Sequence, residues 1–405
     1  MDRGLFRGCA GQGLRSADRH RLHSKTTTRF VCPQGPQPGE LIVSRTFPPL
    51  HWLSLGLLVL LFGLAASNEW LPETHWLHVS DFWINLMGKI ACYALCALAL
   101  DLIWGFAGVL SLGHGLFFAL GGYVMGMHLM RQIGRDGVYQ SDLPDFMVFL
   151  DWKTLPWHWT LSDSFGATLL LVVLVPGVLA LVFGFFAFRS RIKGVYFSII
   201  TQALTYAAML LFFRNEMGFG GNNGFTDFKR LLDLPIATSG MRNSLFLLSG
   251  CTLFAAWLGT RWLMQTKYGR VLQAIRDAES RTLFLGYATL GYKLSAWVLS
   301  AILCGIAGAL YVPQVGIINP SEMAPAQSIE MAIWVAVGGR GTLSGPIIGA
   351  FLVNLGKSWM TVLAPEYWLY LLGLLFIAIT LFLPKGIVGL LNQWLDARKN
   401  KVRPS

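Results

Sequence analysis

The chain has 405 residues, 54% of them hydrophobic and 13% charged, with a formal net charge of +11. Soluble domains carry roughly twice that charged fraction, and the hydrophobic residues fall in blocks of about 20, the length that crosses a bilayer core. A soluble enzyme is excluded, and so is nucleic-acid binding as the reason for the positive charge, which sits largely in the tails and loops where the positive-inside rule puts it.

Residues 1–47 are polar, with Arg3, Arg7, Arg15, Arg19, Arg21, Lys25, Arg29 and Arg45 against Asp2, Asp18 and Glu40. They lack the apolar core of a secretion signal and read as a disordered amino-terminal extension. A transmembrane domain over 48–390 and a basic tail over 391–405 follow. The first span, 52–67, leads out of the cell, and the second, 84–104, returns. Lys89, near the outer end of the second span, can snorkel to the interface, and Asp101 lies near its inner end. A third span, 109–130, opens on the Gly-rich LSLGHGLFFALGG.

The outer loop 131–163 is acidic (Asp136, Asp142, Asp145, Asp151, Asp163) and carries Trp152, Trp157 and Trp159, which suit a docking surface. Span four, 165–187, ends at the basic turn Arg189, Arg191, Lys193. Span five, 194–213, holds Ser198, Thr201, Gln202 and Thr205 in an apolar run. A flexible outer loop, 214–243, contains GFGGNNGF. Span six is 244–263, and span seven is 294–312.

Between spans six and seven stands a polar island, Lys267 to Lys293, whose basic excess places it in the cytoplasm. Its interior reads as a short helix. Val271, Ile275 and Ala278 recur at i, i+4 and i+7, Asp277 and Arg281 are spaced to pair, and Gly286 is a natural stop. Such a helix offers itself to a soluble partner. Beyond span seven, the apolar run 328–337 is short, GGRGTLSGP interrupts, and runs at 346–363 and 367–383 follow. Lys385, Arg398, Lys399, Lys401 and Arg403 put the carboxy terminus inside, like the amino terminus. The fold expected is an all-α polytopic membrane protein with about ten crossings, or eight plus a re-entrant segment.

Two Gly-rich interruptions, 108–115 and 338–345, sit in opposite halves. Paired broken helices mark a substrate path, and glycine also serves close helix packing. The six cysteines give no disulfide framework, and no metal-ligand spacing stands out. Gly356-Lys357-Ser358 has Phe351 where a phosphate-binding loop needs glycine. With no catalytic motif and no cofactor on this chain, the protein moves something, and any ATP is bound by partner subunits.

GFAGVLSLGHGLFFALGGYVMG, GRVLQAIRDAESRTLFLGY, SAILCGIAGALYVPQVGIINPSE and GGRGTLSGPIIGAFLVN with LFLPKGIVGL resemble the signature of permease subunits of branched-chain-amino-acid-type ABC importers. Within that family, YQSDLPDFMVFLDWKTLPWHW, VYFSIITQALTYA and FRNEMGFGGNNGFTDFK resemble the second membrane subunit of urea importers. The likeness spans Ile84 to Leu390. Residues 1–47 have no counterpart in it, and Ala288 stands where the family usually shows Asn.

The resemblance implies a bacterial inner-membrane importer with a second permease subunit, two cytoplasmic ABC ATPases and an extracytoplasmic binding protein. The polar island becomes its coupling helix, with Arg276, Asp277, Glu279 and Arg281 as polar contacts and Val271, Ile275 and Ala278 as its packing face, ended by Gly286. Urea needs hydroxyl, amide and carbonyl groups along its path. Ser111, His114, Ser198, Thr201, Gln202 and Thr205 are the candidates, each equally able to serve as an interhelical hydrogen bond. Trp157, Asn222 and Asn223 are candidates for docking the binding protein. The same architecture carrying an amino acid, or an autonomous small-solute channel, are the alternatives.

Overall fold

The computed structural model describes residues 50–72, 74–75, 78–192, 194–382 and 386–391. The extension 1–47, Lys193 of the basic turn, Lys385 and the tail residues from 392 lie outside them. Twelve α-helices follow in order among the described residues: α1 Leu50–Trp70, α2 Asp81–Asp101, α3 His114–Ile133, α4 Asp145–Phe149, α5 Phe165–Arg189 and α6 Val195–Phe212; then α7 Ser239–Gln265, α8 Lys267–Phe284, α9 Thr289–Val315, α10 Pro325–Gly338, α11 Ser344–Leu363 and α12 Trp368–Phe382. The last turn of α2 runs on as a π-turn, Leu102–Phe106.

Six of these are long and apolar enough to cross a bilayer: Asp81–Phe106, Phe165–Arg189, Val195–Phe212, Ser239–Gln265, Thr289–Val315 and Ser344–Leu363. Helix α10, the short run of the sequence, has 14 residues; at 1.5 Å each it reaches about 21 Å, less than the ~30 Å hydrocarbon core. The third expected span starts later than its apolar run, at His114, because 107–113 is a connecting segment.

Helices α2, α3 and α9 form the centre, and α5, α6 and α11 turn most of their surface outward. Small side chains make the centre close-packed. Ala91, Ala94, Ala97 and Cys96 of α2 are buried, and α3 meets α9 backbone to backbone. A Cβ at Gly121 would lie 1.9 Å from the Gly305 carbonyl oxygen, and one at Gly308 would lie 1.9 Å from that of Phe118. Glycine is there so that two helices can touch, the usual cause of such contacts where water gives no hydrophobic drive. Trp297 of α9 anchors the next layer: its indole donates to Ala180 O of α5 at 3.0 Å.

Hydrogen bonds sort the helix ends into two sets. Asn68, Asp81 and Asn243 join the ends of α1, α2 and α7, Arg131 and Asp163 join α3 to α5, and Phe225 pairs with Ile318 in a two-residue antiparallel ladder. At the opposite set, Asp101 reaches the 339–343 loop and Arg276 of α8 reaches Gly105. The segment 214–243, expected as a flexible loop, is tied down by that ladder and by a second one, Arg230–Leu231 with Leu234–Pro235.

Candidate transport path and coupling segment

The polar island forms α8, which breaks at Ala278 (φ −155°, ψ 75°) into two arms. Leu272, Ile275 and Thr282 are buried against the chain's own helices, Val271, Ala278 and Glu279 are half-buried, and Asp277 and Arg281 are exposed. The expected Asp277–Arg281 pair does not form: the break takes residue 281 out of helical register, and Asp277 accepts instead from Arg276 Nε at 2.8 Å. Glu279 pairs with Lys293 of α9. Gly286 (φ +87°) ends the helix as expected, in the left-handed region that favours glycine. Beside it, Phe284 is 92% and Leu285 77% exposed.

Arg276 also points inward. Its Nη1 donates to the Gly105 carbonyl oxygen at 2.8 Å, and Gly108 (φ +75°) leaves room for its stem, since a Cβ there would lie 2.6 Å from Arg276 Cγ. Gly105 belongs to the π-turn, and one turn back the buried Asp101 accepts from Gly341 N at 2.6 Å and Leu343 N at 3.2 Å. Helix α8, the π-turn and the Gly-rich 339–343 loop therefore meet at one junction. Arg340 and Arg276 supply positive charge around the Asp101 carboxylate.

The other Gly-rich stretch, 107–113, is laid against α6. Ser198 Oγ donates to Leu110 O at 2.8 Å, Thr201 Oγ1 accepts from Leu112 N at 3.2 Å, Thr205 Oγ1 donates to Thr201 O, and Ser111 Oγ accepts from Gly113 N. These four candidates are buried and near one another; Gln202 is half-buried. His114 stands apart, buried at the start of α3, with Nε2 2.7 Å from Ser300 Oγ. Ser300 spends its one proton on Ala99 O, so the imidazole donates from Nε2. Its Nδ1 lone pair has no partner among the described residues.

Glu322 and Glu330 went unread in the sequence, and Lys89 and Lys357 were read there without the partners that the structure gives them. Glu330 of α10 receives Lys357 of α11 on both oxygens, at 2.9 and 2.8 Å. Lys89 of α2 does not simply snorkel: its Nζ lies 5.8 Å from the Tyr93 ring centre and 5.9 Å from that of Tyr311. Glu322, in the turn before α10, accepts from Tyr311 Oη at 3.3 Å. An ionisable residue inside an apolar block is the signal that could have found them.

On the side away from α8, Trp157 is 84% exposed and Asn222 and Asn223 are exposed. Trp159 is buried and donates to Gly218 O at 3.0 Å, fixing the two long loops together. Asp145 accepts from Val138 N and Tyr139 N. The hydrogen bond from Arg135 holds the Asp142 carboxyl below its usual range, and burial lowers the His158 imidazole.

The family described as "Branched-chain amino acid transport system / permease component" matches residues 82–380. The high-affinity branched-chain amino acid transport system permease protein LivM of Escherichia coli (strain K12) is 22% identical over 97% of this chain and 85% of its own length. The permease BraD of the same type of system in Pseudomonas aeruginosa is 21% identical over 79% of this chain and 98% of its own. The fructose import permease protein FrcC of Rhizobium meliloti is 26% identical over 33% of this chain and 36% of its own. No solved structure matches.

Proposed function

The chain belongs to the branched-chain amino acid transport permease family, a transport component rather than an enzyme, and from that premise we propose that it is the second membrane subunit of an ATP-driven ABC importer of urea. Its partners on this reading are another permease subunit, two cytoplasmic ATPases and an extracytoplasmic binding protein. The single observation that carries the urea reading is the loop pair 131–163 and 214–228, whose strings resemble the urea permease and which the Trp159–Gly218 bond holds as one surface.

Helix α8 supports the ATPase coupling. It is the most polar long helix, it presents Asp277, Arg281 and Phe284 outward, and it is pinned to the transmembrane helices through Arg276 and Glu279. ATP-driven movement of a partner can rock membrane helices only through such a stiff attachment. The two sets of helix ends support ten crossings with both termini in the cytoplasm. The turn before α10 meets α9 through Glu322 and Tyr311, and the loop after α10 meets Asp101, so α10 runs between the two sets, which favours a short crossing over a re-entrant loop.

A second reading keeps the machine and changes the cargo. The names of LivM and BraD favour a branched-chain amino acid, whereas the FrcC name shows that related permeases serve other cargo. Uptake of labelled urea and labelled leucine, measured in parallel in cells lacking this chain and after its restoration, separates them. Urea uptake lost and regained alone supports our reading; leucine uptake behaving so overturns the urea assignment.

A further inference from the structure

Among the described residues Lys89 of α2, Glu322 of the turn before α10, Glu330 of α10 and Lys357 of α11 bring four charges near one another, and only two of them satisfy each other. Glu330 and Lys357 form a two-point ion pair. Lys89 and Glu322 do not pair directly, although the charges of Glu322, Glu330 and Lys357 all act on Lys89. The Lys89 ammonium rests against two tyrosine faces, and it makes no hydrogen bond to a described residue. Glu322 commits one oxygen to Tyr311, whose own hydroxyl accepts from Tyr93 at 3.2 Å. Two further buried polar atoms nearby lack partners among the described residues. They are Trp334 Nε1, whose ring centre lies 5.0 Å from that of Tyr93, and Gln314 Oε1, which fills the space over Gly88, next to Lys89.

Burying donors and acceptors unpaired is costly, the more so in a bilayer. The group holds donors in Lys89 and Trp334 and acceptors in Glu322 and Gln314, so it is complementary to a molecule with both. Its depth is also telling. Lys89 is the ninth residue of α2 and Tyr311 the fifth from the end of α9, about 12 Å and 6 Å from those helix ends at 1.5 Å per residue. Both ends lie on the side away from α8, where the binding protein delivers cargo on the reading above.

We propose that Lys89 and Glu322, framed by Tyr93 and Tyr311, form a receiving station for cargo at the outer mouth of the path. The station takes a small solute that presents an oxygen acceptor to Lys89 and N–H donors to Glu322. Urea and an α-amino acid share that chemistry. The inference rests on the importer reading and deepens it.

The test uses the assembled importer in vesicles, with its ATPases and binding protein, carrying Lys89→Met, Lys89→Arg or Glu322→Gln. The readouts are labelled urea and leucine uptake at saturating loaded binding protein, stimulated ATP hydrolysis, and the amount of assembled complex. The station predicts that Lys89→Met and Glu322→Gln each slow uptake about tenfold or more, the factor for losing a hydrogen bond to a charged group. Assembly and ATP hydrolysis stay within about twofold, a change too small to account for that loss, and Lys89→Arg transports better than Lys89→Met. Unchanged uptake in Lys89→Met and Glu322→Gln overturns the proposal. Should Lys89→Met fail to assemble, Glu322→Gln decides, because it keeps side-chain size and an acceptor for Tyr311: normal uptake there overturns the station. Wild-type importer that carries leucine and not urea contradicts the cargo reading alone, since the same variants then test the station with leucine.

Discussion

The Arg276 guanidinium donates to the Gly105 carbonyl oxygen at 2.8 Å, across 171 positions of sequence. That bond fastens the polar helix α8 to the π-turn, and the Asp101 carboxylate fastens the same turn to the backbone of Gly341 and Leu343. Helix α8 is thus tied to the π-turn that leads into one Gly-rich segment, and that turn is tied through Asp101 to the other.

Arg276→Ala removes the first contact and leaves the Gly105 carbonyl without its donor. We expect ATP-driven uptake to fall about tenfold or more, as for a lost hydrogen bond to a charged group, while assembled complex is retained. Uptake per ATP hydrolysed is the measurement.

Asp101→Leu strands two backbone amides that now donate to a carboxylate. The loss should be about 1–3 kcal/mol for each amide left buried without an acceptor, and Asp101→Asn should lose less because it keeps one acceptor. Thermal unfolding of the purified chain in detergent gives the order.

Gly308→Ala places a Cβ against the Phe118 carbonyl oxygen, 1.9 Å away unless the helices part. Overpacking of this kind costs about 1–3 kcal/mol, so a lower unfolding temperature is expected. Gly240→Ala, where nothing lies within 4 Å, is the control that should not move it.

Phe284 and Leu285 are exposed apolar residues at the end of α8. Phe284→Ser should leave the unfolding temperature of the isolated chain unchanged and reduce recovery of the ATPase with it about tenfold, as for a moderate aromatic hot spot. Co-purification at fixed detergent and salt reads this directly.

Helix placement was legible because each block of apolar residues has its own length and its own flanking charges. The polar island showed α8 and Gly286 its end for the same local reason. The break at Ala278 carried no glycine or proline to announce it, so the spacing of Asp277 and Arg281 misled. Ser198 and Thr201 read equally as path groups or as hydrogen bonds between segments, and the structure gives them Leu110 and Leu112 as partners, a pairing across about ninety residues that no periodicity encodes. Lys89 read as a snorkelling side chain because its neighbours Tyr311 and Glu322 arrive from α9 and the turn after it.

The most direct test of the central claim is urea accumulation in sealed vesicles that contain this chain with its partner permease and ATPases. ATP is supplied on the ATPase side, and loaded binding protein on the other. The account predicts uptake that requires both ATP and the binding protein and is lost when either is left out. Urea flux that persists without ATP, or through vesicles holding this chain alone, would contradict it and make the protein a channel.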